Sequence, residues 1–170
     1  MLDSSDWLLS PHEATGFKKN VIVDHLQKND FVHHTEQLFI QVPQRYALVN
    51  VTKLIKDVLC RSNVRDGFCF VSTMHITAGI CINDAESGLL QDIAEWIEKL
   101  APFGKNYRHH QTGEDNGDAH LKSYLTNHAL TAPVTKGSLD FGTWQRIFYA
   151  EFDGNREKRI LVKVTGIKAE

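Results

Sequence analysis

The chain has little cysteine, no excess charge of either sign and no long apolar run, and each shortage removes a class of explanation. Its three cysteines, Cys60, Cys69 and Cys81, lie within or beside apolar stretches with no CxxC spacing. Buried reduced thiols fit that placement better than a disulfide framework or a cysteine zinc site. Nineteen Lys and Arg stand against 21 Asp and Glu, a formal net charge of -2. The basic residues are scattered apart from a short cluster at Arg156 to Arg159, so the footprint of a nucleic-acid binder is missing. No apolar stretch is long enough to span a bilayer, and Asp3 and Asp6 stand where a signal peptide would carry positive charge. We therefore expect a soluble, cytoplasmic protein with no membrane or nucleic-acid partner. Internal repeats and low-complexity segments are also lacking. What is present, 170 residues at 42% hydrophobic content, suffices for one core and one domain.

Residues 1–33 read as an N-terminal arm, partly ordered or docked. Trp7-Leu8-Leu9 and Val21-Ile22-Val23 are short apolar spots without sustained periodicity. The domain itself is expected over residues 34–170. Leu38, Ile40 and Val42 alternate with Phe39 and Gln41 as in a strand, which Pro43 ends. Thr52 is placed to cap a helix carrying Leu54, Ile55, Val58 and Leu59, finished near Asn63. The run FCFVSTMHITAGICIN reads as one central strand or as two joined by a bend near Ala78-Gly79. Asn83 and Glu86 have capping-box spacing ahead of an apolar stripe, Leu89, Leu90, Ile93, Trp96, Ile97 and Leu100, closed by Pro102. Asp118 can cap a short helix bearing Leu121, Tyr124 and Leu125. From Leu130 onward the pattern is strand and turn, with turns at Lys136-Gly137 and Asp153-Gly154.

Chemistry concentrates in the polar loop from Tyr107 to His120, YRHHQTGEDNGDAH, which holds three histidines and three acids. Its spacing matches neither a calcium loop nor HExxH. Outside it, His75 lies in Thr73-Met74-His75-Ile76-Thr77, where period two would put His75 on one polar face with Thr73 and Thr77. Gly142-Thr143-Trp144-Gln145 offers a hydroxyl, a flat wall and an amide. Two arrangements follow. His75, His109 and His120 could give three nitrogen ligands to a divalent, zinc-like metal with a fourth position open, and Asp115 could orient a ring from behind. Alternatively, histidine serves as acid or base without metal, while Arg108 and Lys122 hold a phosphate. The residues leave both open.

Family resemblance is carried by HITAGICIND at 75–84, ESGLL at 86–90, YRH at 107–109, GEDN at 113–116, AHLK at 119–122, GTWQ at 142–145, and FDG at 152–154 with Arg156. This series resembles the YjbQ-type family from about Thr35 to the C-terminus, and members of that family are described as secondary thiamine-phosphate synthases. The resemblance implies a single α+β domain, with β-sandwich-like, largely antiparallel sheets and two or three packed helices, assembled as a homotrimer with clefts near subunit interfaces. It implies a transferase that joins hydroxymethylpyrimidine pyrophosphate to thiazole phosphate and releases pyrophosphate. His75, His109, Asp115 and His120 are then the expected catalytic residues, gathered in one pocket. Arg108, Asn116, Lys122, Thr143, Trp144 and Gln145 are expected to bind the small phosphorylated substrate. His110 and His128 are expected to face solvent. The alternatives are a hydrolase or lyase using a histidine-bound metal, and a non-catalytic module binding a metal or small ligand.

Overall fold

Period-two burial sets the strands. In β3 (Phe31–Gln41) exposure alternates along the chain, so Val32, His34, Glu36, Leu38 and Ile40 share the inner face, as a pleated strand with one covered side requires. β10 (Glu157–Lys168) follows the same rule and turns Lys158, Ile160, Val162 and Val164 inward. A computed structural model of the chain describes residues 8–9 and 24–168, with side chains from Lys28 onward. The apolar spots at Trp7 and at Val21-Ile22-Val23 lie outside the described residues.

The remaining strands are β1 (Leu8–Leu9), β2 (Asp24–Lys28), β4 (Ala47–Asn50), β5 (Val64–Thr73), β6 (Ala78–Asn83), β7 (Ala129–Thr135), β8 (Ser138–Leu139) and β9 (Arg146–Glu151). They form two sheets within a single domain, a six-stranded one in the order β2-β3-β10-β5-β7-β8 and a four-stranded one in the order β1-β4-β9-β6. Among the described residues every pairing is antiparallel except β1 with β4. Two segments from the first thirty residues are paired: Leu8–Leu9 lies along β4, and β2 zips onto β3.

Among the described residues three α-helices complete the α+β fold: α1 (Thr52–Ser62), α2 (Ser87–Leu100) and α3 (Gly117–Leu125). One core fills the space between the sheets and takes Ile55, Val58 and Leu59 from α1. A second lies on the outer face of the small sheet, where Leu48, Phe148, Ala150 and Phe152 meet Leu90, Ala94 and Ile97 of α2 and Ala119 of α3. Strand β9 is thus covered on both faces, which explains its unbroken apolar run Ile147-Phe148-Tyr149-Ala150.

The helix starts differ from expectation, each for a local reason. Thr52 is already inside α1, and its N–H is received by the Asn50 carboxamide at 3.1 Å. Glu86, not Asn83, caps α2, its two carboxylate oxygens each 2.7 Å from an N–H, those of Gly88 and Leu89. Asp118 does not cap α3, because its carboxylate is turned inward to Tyr46 and Lys122. Of the predicted stripe on α2, Trp96 and Leu100 remain exposed.

Candidate active site

The FCFVSTMHITAGICIN run breaks earlier than its glycine suggests: β5 stops at Thr73, and Met74 to Thr77 form a turn before β6 begins at Ala78. Hydrogen bonding fixes that turn. Thr73 N–H donates to the His128 carbonyl, Met74 N–H to Arg159 and Ala78 N–H back to His75. Gly79 lies within the new strand for a packing reason, since a Cβ there would stand 1.9 Å from Thr126 Oγ1 at the end of α3. His75 is therefore a half-buried turn residue and not a strand residue. The Ser123 hydroxyl of α3 reaches across and donates to the Ile76 carbonyl at 2.5 Å, which pins the turn to the helix.

His120 of α3 and the hairpin that carries Asp153 and Arg156 stand near His75. His120, in the first turn of α3, is half-buried, and His109 of the 3-10 turn Arg108–Thr112 packs edge-on against it with ring centroids 4.6 Å apart. The hairpin between β9 and β10 supplies Asp153, whose Oδ2 accepts the Asn116 carboxamide N–H at 3.0 Å and lies 3.4 Å from the Arg156 guanidinium. Burial is the main cause that pushes both imidazoles below their ordinary pKa. The positive charges of Lys158, Arg156 and His120 add to it at His75, and His109 adds to it at His120. The Asp153 charge opposes both shifts. Two neutral imidazoles beside a carboxylate and a guanidinium can exchange a proton and hold an anion.

A buried chain of polar groups lies behind His75. Its Nδ1 is 2.9 Å from Thr77 Oγ1 and 3.3 Å from Thr77 N. Thr77 Oγ1 accepts from Lys158 Nζ at 2.8 Å, and Lys158 donates onward to Glu151 Oε1. The same oxygen receives the N–H groups of Phe152 and Asp153, and Oε2 receives the Tyr149 hydroxyl at 2.8 Å. Thr77, Lys158 and Glu151 were not singled out from the sequence, yet a signal existed. Lys158 shares its inward register with Ile160, Val162 and Val164, and a lysine on that face has to be paired inside the protein.

Several expected site residues do other work. Lys122 is fully buried, with its ammonium 2.7 Å from both Asp118 and Glu98 and 4.0 Å from the Tyr46 ring centre, so it is not placed to grip a phosphate. Asp115 does not orient a histidine. It makes a two-pronged pair with Arg45 at 3.1 and 3.2 Å, and that hydrogen bonding holds its carboxyl below the usual carboxylate range. Asn116 is buried and positions Asp153; its Oδ1 has no partner among the described residues. Arg108 is exposed at the head of the 3-10 turn. His128 faces solvent as expected, whereas His110 is half-buried and accepts the Gly117 N–H at 3.2 Å.

Gly142-Thr143-Trp144-Gln145 forms a self-closed turn, with Gly142 N–H donating to Gln145 Oε1 at 2.8 Å, and lines a cleft of about 390 Å³ with Ile82, Asn83 and Asp84. Trp144 is 70% exposed. This cleft does not join the histidines within one chain. Antiparallel register pairs Ala78 with Glu151 at one end of β6 and Asn83 with Arg146 at the other, so the two sites are separated by about 17 Å of strand. The metal reading also meets a misfit: among the described residues no group of three or more His, Cys, Asp or Glu side chains is arranged to hold a metal ion.

Comparison with known proteins gives a consistent result. The family described as UPF0047 protein YjbQ-like matches residues 36–167. A UPF0047 protein of Archaeoglobus fulgidus is 41% identical over 127 residues, spanning 75% of this chain and 98% of that protein. One from Methanothermobacter thermautotrophicus is 40% identical over 133 residues, with shares of 78% and 92%. Among solved structures, a YbjQ-like protein of unknown function from Sulfolobus solfataricus superposes with a TM-score of 0.76 at 30% identity, covering 80% of this chain and 99% of that one. A hypothetical protein from Aeropyrum pernix gives 0.71 at 31% identity, with shares of 75% and 95%.

Proposed function

The chain belongs to the UPF0047 YjbQ-like family, and from that premise we propose that it is a transferase acting by acid–base catalysis on a small phosphorylated substrate, with thiamine-phosphate synthesis as its reaction. The observation that carries the proposal is the pair of half-buried imidazoles, His75 and His120, biased toward the neutral form beside Asp153 and Arg156. In the reaction, the thiazole nitrogen lone pair forms a bond to the pyrimidine methylene carbon. The methylene C–O bond breaks and its electron pair leaves with pyrophosphate. No proton is lost from the thiazole nitrogen, so the acid–base demand falls on the departing pyrophosphate. An imidazole N–H can donate to it, and Arg156 with exposed Arg108 can stabilise its charge.

A flat wall for the pyrimidine would come from Trp144 of a second copy, since the strand register keeps a chain's own Trp144 away from its His75. Exposed Met74, Ile76, Leu121 and Tyr124 flank the histidines, an apolar fringe suited to burial in a homotrimer. The test supplies both substrates to purified protein and follows thiamine phosphate by thiochrome fluorescence. Turnover is expected, with a loss of about 100-fold or more in His75→Gln. Product no higher than in a heat-denatured control rules the synthase out, and a monomer in sedimentation rules out the shared site.

A further inference from the structure

We propose that Thr77 and Lys158 are positioning residues that lock His75 in the tautomer protonated on Nε2, so that it presents an N–H donor to an anionic, phosphate-class ligand. The inference deepens the acid–base reading of the same site and rests on it.

The donors decide the matter one after another. An amide N–H can only donate, so the Thr77 N–H, long at 3.3 Å, biases His75 Nδ1 toward accepting without fixing it. The Thr77 hydroxyl, at 2.9 Å from the same nitrogen, could point either way on its own. Lys158 narrows that choice. An ammonium has three donors and no acceptor, and with Nζ 2.8 Å from Thr77 Oγ1 it occupies one of that oxygen's two lone pairs, so the arrangement that keeps the amide and hydroxyl contacts together is the one in which both donate to Nδ1. Lys158 is held in turn by Glu151, whose carboxylate is filled by Lys158, two backbone N–H groups and the Tyr149 hydroxyl. Thr77 is 1% exposed, Lys158 2%, and Glu151 and Tyr149 are both 0%, so bulk water offers no competing partner.

A neutral imidazole that accepts on Nδ1 carries its proton on Nε2. Such a ring can donate to a phosphate oxygen or a departing oxyanion. It cannot ligate a metal through Nε2 while keeping that proton, since ligation normally leaves the ring's other nitrogen as the donor. The groups facing the ring are Lys158 and Arg156 from β10 and the turn before it, Asp153 from the same turn, and His120 from α3.

The test is ¹⁵N-histidine NMR on the full chain, with the His75 ring assigned by its disappearance in His75→Gln. In the wild type and in Thr77→Ser, the neutral ring is expected as a single Nε2–H tautomer. Thr77→Val keeps only the longer amide contact, and Lys158→Met with Glu151→Gln removes the buried pair without stranding a charge. Each is expected to lose the single-tautomer signature, the two ring nitrogens shifting toward averaged positions. A proton on Nδ1 in the wild type, or a wild-type pattern in Thr77→Val, overturns the proposal; a wild-type pattern in the double variant overturns the part assigned to Lys158. The measurement needs no substrate, so failure of the synthase assignment leaves it intact and its own failure is read separately.

Discussion

Two lysines, Lys122 on α3 and Lys158 on β10, are both buried and both paired with carboxylates, yet their surroundings give them different meanings. The Lys122 cluster ties elements together. Asp118 takes the lysine at 2.7 Å and the Tyr46 hydroxyl at 2.6 Å, and Glu98 approaches from α2, so two helices and the approach to β4 are tied together. The Lys158 cluster leads outward, through the Thr77 hydroxyl to His75. A buried ion pair is weak evidence of function by itself. The difference lies in what each lysine's partners lead to: carboxylates and a tyrosine that tie elements together at Lys122, and at Lys158 a hydroxyl that meets the His75 ring.

The strongest way to break this comparison is Lys122→Met. It leaves Asp118, 1% exposed, charged and short of a partner, and removing one side of a buried pair costs about 3–5 kcal/mol. Urea unfolding should show that loss while the His75 ring keeps its wild-type NMR pattern. If the His75 pattern changes as well in the folded variant, the two clusters are not separate.

Gly79→Ala probes the joint between them, because α3 carries Lys122 and His120 and ends against Gly79. With a Cβ 1.9 Å from Thr126 Oγ1, overpacking of about 1–3 kcal/mol is expected. Adding Thr126→Ser removes only a methyl from the crowded side chain and should recover little. Thr126→Gly clears both the Oγ1 and Cβ contacts, 1.9 and 2.8 Å, and should relieve the clash in a double-mutant cycle. A fully additive cycle would show that the contact does not govern the packing.

Strands were legible where period-two alternation stood out, as in the Leu38–Gln41 half of β3 and in β10, whereas β4 and the first residues of β3 were not read as strand. Helix positions and the end of α1 at Asn63 were legible, and the helix N-caps were not. Asn50, Glu86 and the inward turn of Asp118 depend on which acceptor wins a local competition among several candidates within a few residues. The site was legible as a list of residue types. His120 acts on His75 and His109 packs on His120, but the list could not reveal that Asp115 pairs with Arg45 or that Lys122 is consumed by Asp118 and Glu98. Those partners come from distant parts of the chain. The separation of Trp144 from His75 was also hidden, since it follows from the register of β6 on β9.

A gentler dependence should appear with pH. The folded-state pKa values of His75 and His120 lie below the ordinary imidazole value of 6.5, mainly through burial. As pH falls through 6.5, the unfolded chain binds protons that the folded chain refuses, so unfolding free energy declines with falling pH until the lower folded values are passed. Above about 6.5 these two groups contribute no slope. His75→Gln should flatten part of the decline, measured by urea unfolding between pH 7.5 and 5, values of about one unit either side of the imidazole range. An unchanged slope would mean that His75 titrates alike in both states.

The smallest effect is expected at Asp115, the acid that sequence reasoning placed in the catalytic group. Its side chain is 74% exposed and its partner is Arg45, which also stacks on Phe103 at 4.5 Å. An exposed pair of this kind contributes about 0–1 kcal/mol. Asp115→Asn removes its charge but keeps an oxygen for the guanidinium, so stability should fall by no more than that and turnover should stay at the wild-type rate. Asp153→Asn changes a carboxylate whose field reaches both His75 and His120 and should depress turnover. Were Asp115→Asn the more damaging of the two, the acid serving the histidines would be on the polar loop after all, and the division between a structural Lys122 side and a chemical Lys158 side would have to be redrawn through Arg45.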